Sequence, residues 1–177
     1  MAKGFVVDLA KCIGCKACVA VCKMRYELPN GVNRRRVLIK DIDENPKRLF
    51  ISMACNHCAD PACLKACPKG AISIDAEGRV IHDLAKCVGC RRCEWACPYG
   101  AICYNPETRK VDKCDGCATK PDGPRCVEAC HAKALEWVDV DATFDALAAQ
   151  IVADGKNLLP DPAYTNPHVK FGPKVKP

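Results

Sequence analysis

A chain of 177 residues has room for one domain or two small ones, and 17 of its residues are cysteine. Such a density suits a disulfide scaffold in short secreted chains, but this chain is long and no signal peptide follows Met1. No apolar run approaches the roughly 18 residues of a membrane helix. The formal net charge of +6 comes without the basic–aromatic interleaving of a nucleic-acid surface.

Taken from the N-terminus, Phe5-Val6-Val7-Asp8 reads as a short strand leading into a first group of cysteines, Cys12, Cys15, Cys18 and Cys22. A polar connection through Pro29-Asn30-Gly31 follows. Segments 34–39 and 49–51 read as two strands about a turn at Asn45-Pro46. The run Arg34-Arg35-Arg36 reads as a solvated strand edge, with contact to a partner subunit the sharper alternative. The second group is Cys55, Cys58, Cys63 and Cys67, the third Cys87, Cys90, Cys93 and Cys97, and the fourth Cys114, Cys117, Cys126 and Cys130.

Internal repeats organise these groups. Asp8-Leu9-Ala10-Lys11-Cys12-Ile13-Gly14-Cys15-Lys16 recurs as Asp83-Leu84-Ala85-Lys86-Cys87-Val88-Gly89-Cys90-Arg91, and faintly as Val111-Asp112-Lys113-Cys114-Asp115-Gly116-Cys117. After the last cysteine of three groups come Ala71-Ile72, Ala101-Ile102 and Ala134-Leu135, with Ile74, Tyr104 and Trp137 two positions further on, the expected inward face of short strands. Turns at 75–78 and 105–108 then fold the chain back into hairpins. In that register Cys103 falls on the polar face, in phase with Ser73 and Glu136, and is expected to be a surface or inter-domain thiol rather than a ligand.

Beyond Val140 the cysteines stop. Asp141–Ala153 reads as an amphipathic helix with Phe144, Leu147, Ala148, Ile151 and Val152 on one face, and the Pro-rich residues 156–177 read as an extended tail. Either the helix packs on the body and the end frays, or the segment is an arm laid across a partner.

The first and third groups read C-x2-C-x2-C-x3-C, the bacterial ferredoxin run for a [4Fe–4S] cluster, in which three thiolates wrap one cubane and the fourth ligates its neighbour. The second and fourth keep the outer spacings and stretch the middle. Structural zinc uses paired CxxC motifs but has no use for the triple run, and Pro68 and Pro98 match the C-P ending of the ferredoxin pattern. Four groups of four imply four [4Fe–4S] clusters. Each core with four thiolates carries about −2, so four add about −8, and the excess of Lys and Arg reads as compensation. Lys16, Arg91 and Arg92 lie inside cluster loops, where positive charge raises reduction potentials.

The expected fold is α+β: two pseudo-symmetric ferredoxin-like halves of short hairpins and short helices over residues 1–140, then the helix and tail over 141–177. The short gap from Cys67 to Cys87, filled by one hairpin, pairs groups two and three and leaves groups one and four to form the other half. The ligand sets are then Cys55, Cys58, Cys63 with Cys97; Cys67 with Cys87, Cys90 and Cys93; Cys12, Cys15, Cys18 with Cys130; and Cys22 with Cys114, Cys117 and Cys126. Sequential pairing, one with two and three with four, fits the duplication equally well.

With Cys55-Asn56-His57-Cys58-Ala59-Asp60-Pro61-Ala62-Cys63, Cys97-Pro98-Tyr99-Gly100-Ala101 and Lys113-Cys114-Asp115-Gly116-Cys117, the chain resembles the polyferredoxin subunits of molybdenum or tungsten pterin oxidoreductases. The resemblance spans about residues 4–140 and favours pairing one with four and two with three. It implies four [4Fe–4S] clusters on sixteen cysteines and a large pterin-metal catalytic subunit as partner. A quinone-linked membrane anchor, a flavin subunit or a second copy of the chain are the further partners to consider. It implies a non-catalytic electron-transfer subunit, with neither nucleic acid nor a membrane span of its own. A cytoplasmic location is expected, with export alongside a partner as the other route.

No catalytic residue is expected, because every cluster iron has a cysteine and the four histidines are scattered. His57, beside Cys58, reads as a supporting or surface residue. The alternatives are a free-standing polyferredoxin, or a subunit of a hydrogenase or formate-hydrogenlyase-like complex. A self-contained flavin or nicotinamide reductase lacks the GxGxxG that would follow a strand.

Overall fold

Strand β1 (Lys3–Asp8) buries Gly4, Phe5 and Val7 and leaves Val6 and Asp8 partly exposed, and both of its edges are paired. Along one edge β8 (Leu135–Asp139) runs antiparallel, with Phe5 opposite Trp137 and Val7 opposite Leu135. Along the other, β9 (Val169–Gly172) runs parallel, with Phe5 opposite Val169. The computed structural model describes residues 1–42, 47–140 and 160–172 of the chain. The expected turn at Asn45-Pro46 and the helix Asp141–Ala153 lie outside the described residues.

Three two-stranded hairpins surround this sheet: β2 (Arg36–Ile42) with β3 (Lys47–Met53), β4 (Ile72–Ile74) with β5 (Val80–His82), and β6 (Ile102–Asn105) with β7 (Lys110–Lys113). Four short α-helices, α1 (Ala17–Arg25), α2 (Ala62–Lys65), α3 (Arg92–Ala96) and α4 (Arg125–Glu128), and a 3-10 turn at Pro162–Tyr164 complete the described structure. The class is α+β. Helix α1 packs on α4, and α2 on α3. Helices of four or five residues are below the length that is stable alone, so packing has to hold them. The core joins Phe5, Val7, Leu49, Ile51 and Met53 to buried cysteines of all four groups. Among the described residues no helix is long and apolar enough to cross a membrane.

Three expectations change here. The tail returns to the body instead of fraying: Val169 and Phe171 alternate into the core, and β9 satisfies an edge of β1 that would otherwise expose unpaired N–H and C=O groups. The arginine run is not a solvated edge. Arg34 pairs with Asp112 at 2.6 Å and Asp115 at 3.5 Å, Arg36 donates to the carbonyls of Tyr99 and Gly100, and Arg35 is buried. Arg34 and Arg36 therefore tie this segment to residues beside the fourth and third cysteine groups, while Arg35 bonds Ser52 of β3. Lastly, Ala71, Ile72, Ala101, Ile102, Ala134 and Leu135 are buried as expected, but Ile74 is 43% exposed. It ends its three-residue strand, in which only Ile72 is buried.

Candidate metal centres

The third cysteine of every group, Cys18, Cys63, Cys93 and Cys126, is the second residue of a helix. Groups one and three enter that helix through a left-handed residue, Lys16 at φ 61° and Arg91 at φ 62°. Groups two and four enter through an extended proline, Pro61 or Pro124. The stretched spacing of those two groups is thus a different route into the same helix start. After the last cysteine of three groups, a left-handed residue (Gly70, Gly100 or Lys133) turns the chain so that a backbone N–H meets the sulfur. Ala71 N donates to Cys67 Sγ at 3.3 Å, Ala101 N to Cys97 Sγ at 3.4 Å, and Ala134 N to Cys130 Sγ at 3.2 Å. The repeated alanine therefore both fills the core and supplies a donor, which tunes a bound cluster.

Two gaps show how the groups meet. One, of about 330 Å³ including its mouth, is lined by Cys22 together with Cys114, Cys117 and Cys126. The other, of about 320 Å³, is lined by Cys67 together with Cys87, Cys90 and Cys93. Elsewhere, burial raises the Cys12 thiol, and Cys18, Cys130 and Cys15 lie close enough to add to the rise. Burial pushes Cys63 up to about 12, with Cys55, Cys97 and Cys58 adding to it. The chain thus brings the first group to the fourth and the second to the third. Cys103 stands apart, half-buried, with its Sγ 3.6 Å from Asn33 O and 3.5 Å from Asp112 O.

Bare thiols in such surroundings hold their protons. Burial pushes Cys22 to about 12 and Cys93 to about 11, and raises Cys114 further. Only a strongly bound cation makes thiolates of them, so cluster insertion has to displace protons. Among the described residues no three Cys, His, Asp or Glu side chains converge as closely as a single metal ion requires. A cubane spans several ångströms and holds its thiolates further apart. An all-thiol donor set with backbone N–H groups on the sulfurs fits [4Fe–4S] clusters.

Known proteins agree. Two family models, each described as a 4Fe-4S dicluster domain, match residues 46–140 and 11–72. The chain is 40% identical over 152 residues to the B subunit of the anaerobic dimethyl sulfoxide reductase of Haemophilus influenzae, covering 78% of this chain and 74% of that one. It is 37% identical over 191 residues to YnfG of Escherichia coli, a probable anaerobic dimethyl sulfoxide reductase subunit, covering 97% and 89%. To the thiosulfate reductase electron transfer subunit PhsB of Salmonella typhi it is 35% identical over 142 residues, covering 76% and 74%. The chain belongs to the iron–sulfur subunits of molybdenum-pterin oxidoreductases.

As an iron–sulfur subunit it transfers electrons between a catalytic subunit and a second redox partner, and is not itself the catalytic chain. Bound [4Fe–4S] clusters supply one-electron redox chemistry, and the protein's part is to hold, shield and charge-balance them. The cations that do this from inside escaped the sequence reading. Lys16, Arg91 and Arg92 are exposed. Arg35 and Lys113 are each only 2% exposed. As thiolates on a cluster, Cys126, Cys114, Cys18 and Cys22 would keep the buried Arg35 guanidinium charged against the cost of its burial. Lys113 Nζ donates to the carbonyls of Val80 and Cys114. Arg35 was hidden by its charged neighbours in the run, and Lys113 by its repeat equivalents Lys11 and Lys86, both of which are exposed.

His57 is wholly buried in this iron–sulfur subunit, and of its two expected places it takes the supporting one. Its Nδ1 accepts the Val80 N–H at 3.0 Å, and Nε2 lies 3.9 Å from Cys114 Sγ. Burial, with Lys113 next, keeps the ring neutral. The motif Cys55-Asn56-His57-Cys58 marked the residue, but only the fold supplies Cys114.

Proposed function

We propose that the chain carries four [4Fe–4S] clusters in two ferredoxin-like halves, one built from groups one and four, the other from groups two and three. The ligand sets are Cys12, Cys15, Cys18 and Cys130; Cys22, Cys114, Cys117 and Cys126; Cys55, Cys58, Cys63 and Cys97; and Cys67, Cys87, Cys90 and Cys93. The observation that carries this reading is the lining of the two gaps: three cysteines of one group and the last cysteine of another. The packing of α1 on α4 and α2 on α3 supports the same pairing.

Exposure orders the four sites. Cys15 and Cys90 are exposed, beside Ile13 and Val88 at 65% and 60% exposure, so the sets that contain them are the outer ones. The other two sets are inner, and burial and charge couple them, with Cys55 among the neighbours that raise the Cys114 thiol. Electrons enter at one outer site, cross both inner sites and leave at the other. The outer faces dock the pterin-metal catalytic subunit and a second redox partner, of which a membrane-anchored subunit is one kind. The names of the relatives make reductases of sulfoxides and sulfur oxyanions the first complexes to test.

Anaerobic purification with partners attached, followed by iron, molybdenum and tungsten analysis, tests this reading. About sixteen irons per chain with molybdenum or tungsten in a co-eluting large subunit supports it; zinc in place of iron refutes it.

A further inference from the structure

His57 holds no iron in the proposed ligand sets, yet it is wholly buried between cysteine groups two and four. Its backbone is left-handed, at φ 45°, and its exposure is 0%. A side chain other than glycine in that conformation costs about 1 kcal/mol, so its surroundings must hold it there. They do so on every side. Val80 N–H donates to Nδ1 at 3.0 Å, the Phe5 ring lies 6.4 Å away, and the Trp137 ring stands edge-on at 6.0 Å. A neutral imidazole that accepts at Nδ1 carries its hydrogen on Nε2. That N–H faces one sulfur, Cys114 Sγ at 3.9 Å, at the long end of the range for an N–H···S bond.

His57 belongs by chain to the loop between Cys55 and Cys58, while Cys114 opens the fourth group. The contact therefore joins segments 57 residues apart, one from each half. We propose that His57 is the relay between the halves, its Nε2–H donating to Cys114 Sγ and linking the inner site of Cys55, Cys58, Cys63 and Cys97 to that of Cys22, Cys114, Cys117 and Cys126. The inference rests on those ligand sets.

Two consequences follow for the electron. A hydrogen bond to the thiolate favours its more negative, reduced state, which raises the potential of the Cys114 site. The bond also shortens the route, since Cys58, the adjoining peptide, the imidazole and Cys114 replace a jump through space. One electron lost on one side is gained on the other, and the Nε2 hydrogen stays on the ring.

Two substitutions in the native complex separate this role from mere support. His57→Asn keeps an acceptor for Val80 N–H and a residue that tolerates left-handed backbone, but falls short of Cys114. His57→Gln extends an amide N–H towards the sulfur. Redox-poised EPR, iron analysis, melting temperature and freeze-quench reoxidation are measured on both. In His57→Asn, iron should stay at the wild-type value, while the lost ring contacts with Phe5 and Trp137 lower the melting temperature by a few degrees. Electron sharing between the inner sites should shift about tenfold away from the Cys114 site, equivalent to 59 mV for one electron, and transfer between the halves should slow. His57→Gln should restore both. Wild-type potentials and rates in His57→Asn would overturn the relay, as would equal defects in the two variants or loss of iron from both. Fewer than four clusters in the wild-type complex would overturn the four-site reading first, before any variant is made.

Discussion

The guanidinium of Arg35 donates to Ser52 Oγ at 3.0 Å, and that hydroxyl lies 3.3 Å from Cys18 Sγ. The same guanidinium stacks 4.5 Å over the Phe5 ring and lines the gap of Cys22, Cys114, Cys117 and Cys126. Its Nη2 is buried with no partner in the protein. A buried cation with a donor to spare, placed between two cysteine sets, is what a pair of anionic clusters needs.

Replacing Arg35 with Met should therefore lower the potentials of the two sites formed by groups one and four. Hydrogen bonds to charged groups are worth roughly 1.5–3 kcal/mol, or about 60–130 mV for one electron. Arg35→Lys keeps the charge and should fall between. EPR-monitored titration reads both, and the sites of groups two and three should hardly move.

The crossed ligand sets make a prediction about pairs of substitutions. Cys63 and Cys97 serve one proposed site, so Cys63→Ser with Cys97→Ser should lose one cluster, about four irons. Cys93→Ser with Cys97→Ser touches two sites and should lose about eight. Cys103→Ser should lose none. Iron analysis of anaerobically purified protein distinguishes these outcomes.

Thr165 clamps the second cysteine loop from the returning tail. Its Oγ1 lies 2.8 Å from the Tyr99 hydroxyl, its carbonyl accepts from Asp60 N at 3.1 Å, and the next carbonyl, of Asn166, accepts from Ala59 N at 2.9 Å. Thr165→Val removes the buried hydroxyl and its bond to Tyr99, a cost of about 1–3 kcal/mol. The melting temperature should fall by roughly 2–12 °C, since each kcal/mol moves a chain of this size by about 2–4 °C. A calorimetric scan under nitrogen checks it.

Gly89 and Gly123 have almost the same backbone, at φ 71° and 69°, but different surroundings. A Cβ on Gly89 would meet Arg109 O at 2.1 Å, whereas nothing lies within 4 Å of one on Gly123. Gly123→Ala should cost about 1 kcal/mol, the price of the left-handed backbone alone. Gly89→Ala should cost about 3 kcal/mol or more, because backbone has to move. Denaturation midpoints of the two variants compare them directly.

The sequence alone determined the cysteine groups, the hairpins behind them, the α+β class and the family, because each is written in spacings of a few residues. A C-x2-C loop, a glycine turn and a period-two strand are local, and local chemistry is enough to form them. What the tertiary structure decided depends on residues far apart in the chain. The approach of the first group to the fourth needs β1 and β8 to pair, and the docking of the tail needs the free edge of β1. Arg35 reads as part of a solvated edge, and Lys113 only as a repeat position, until the fold surrounds them with thiols and carbonyls. His57 shows the division within one residue. Its place in a cysteine loop is local, but its partners Val80 and Cys114 arrive from 23 and 57 residues away, and burial by distant segments is what only folding supplies.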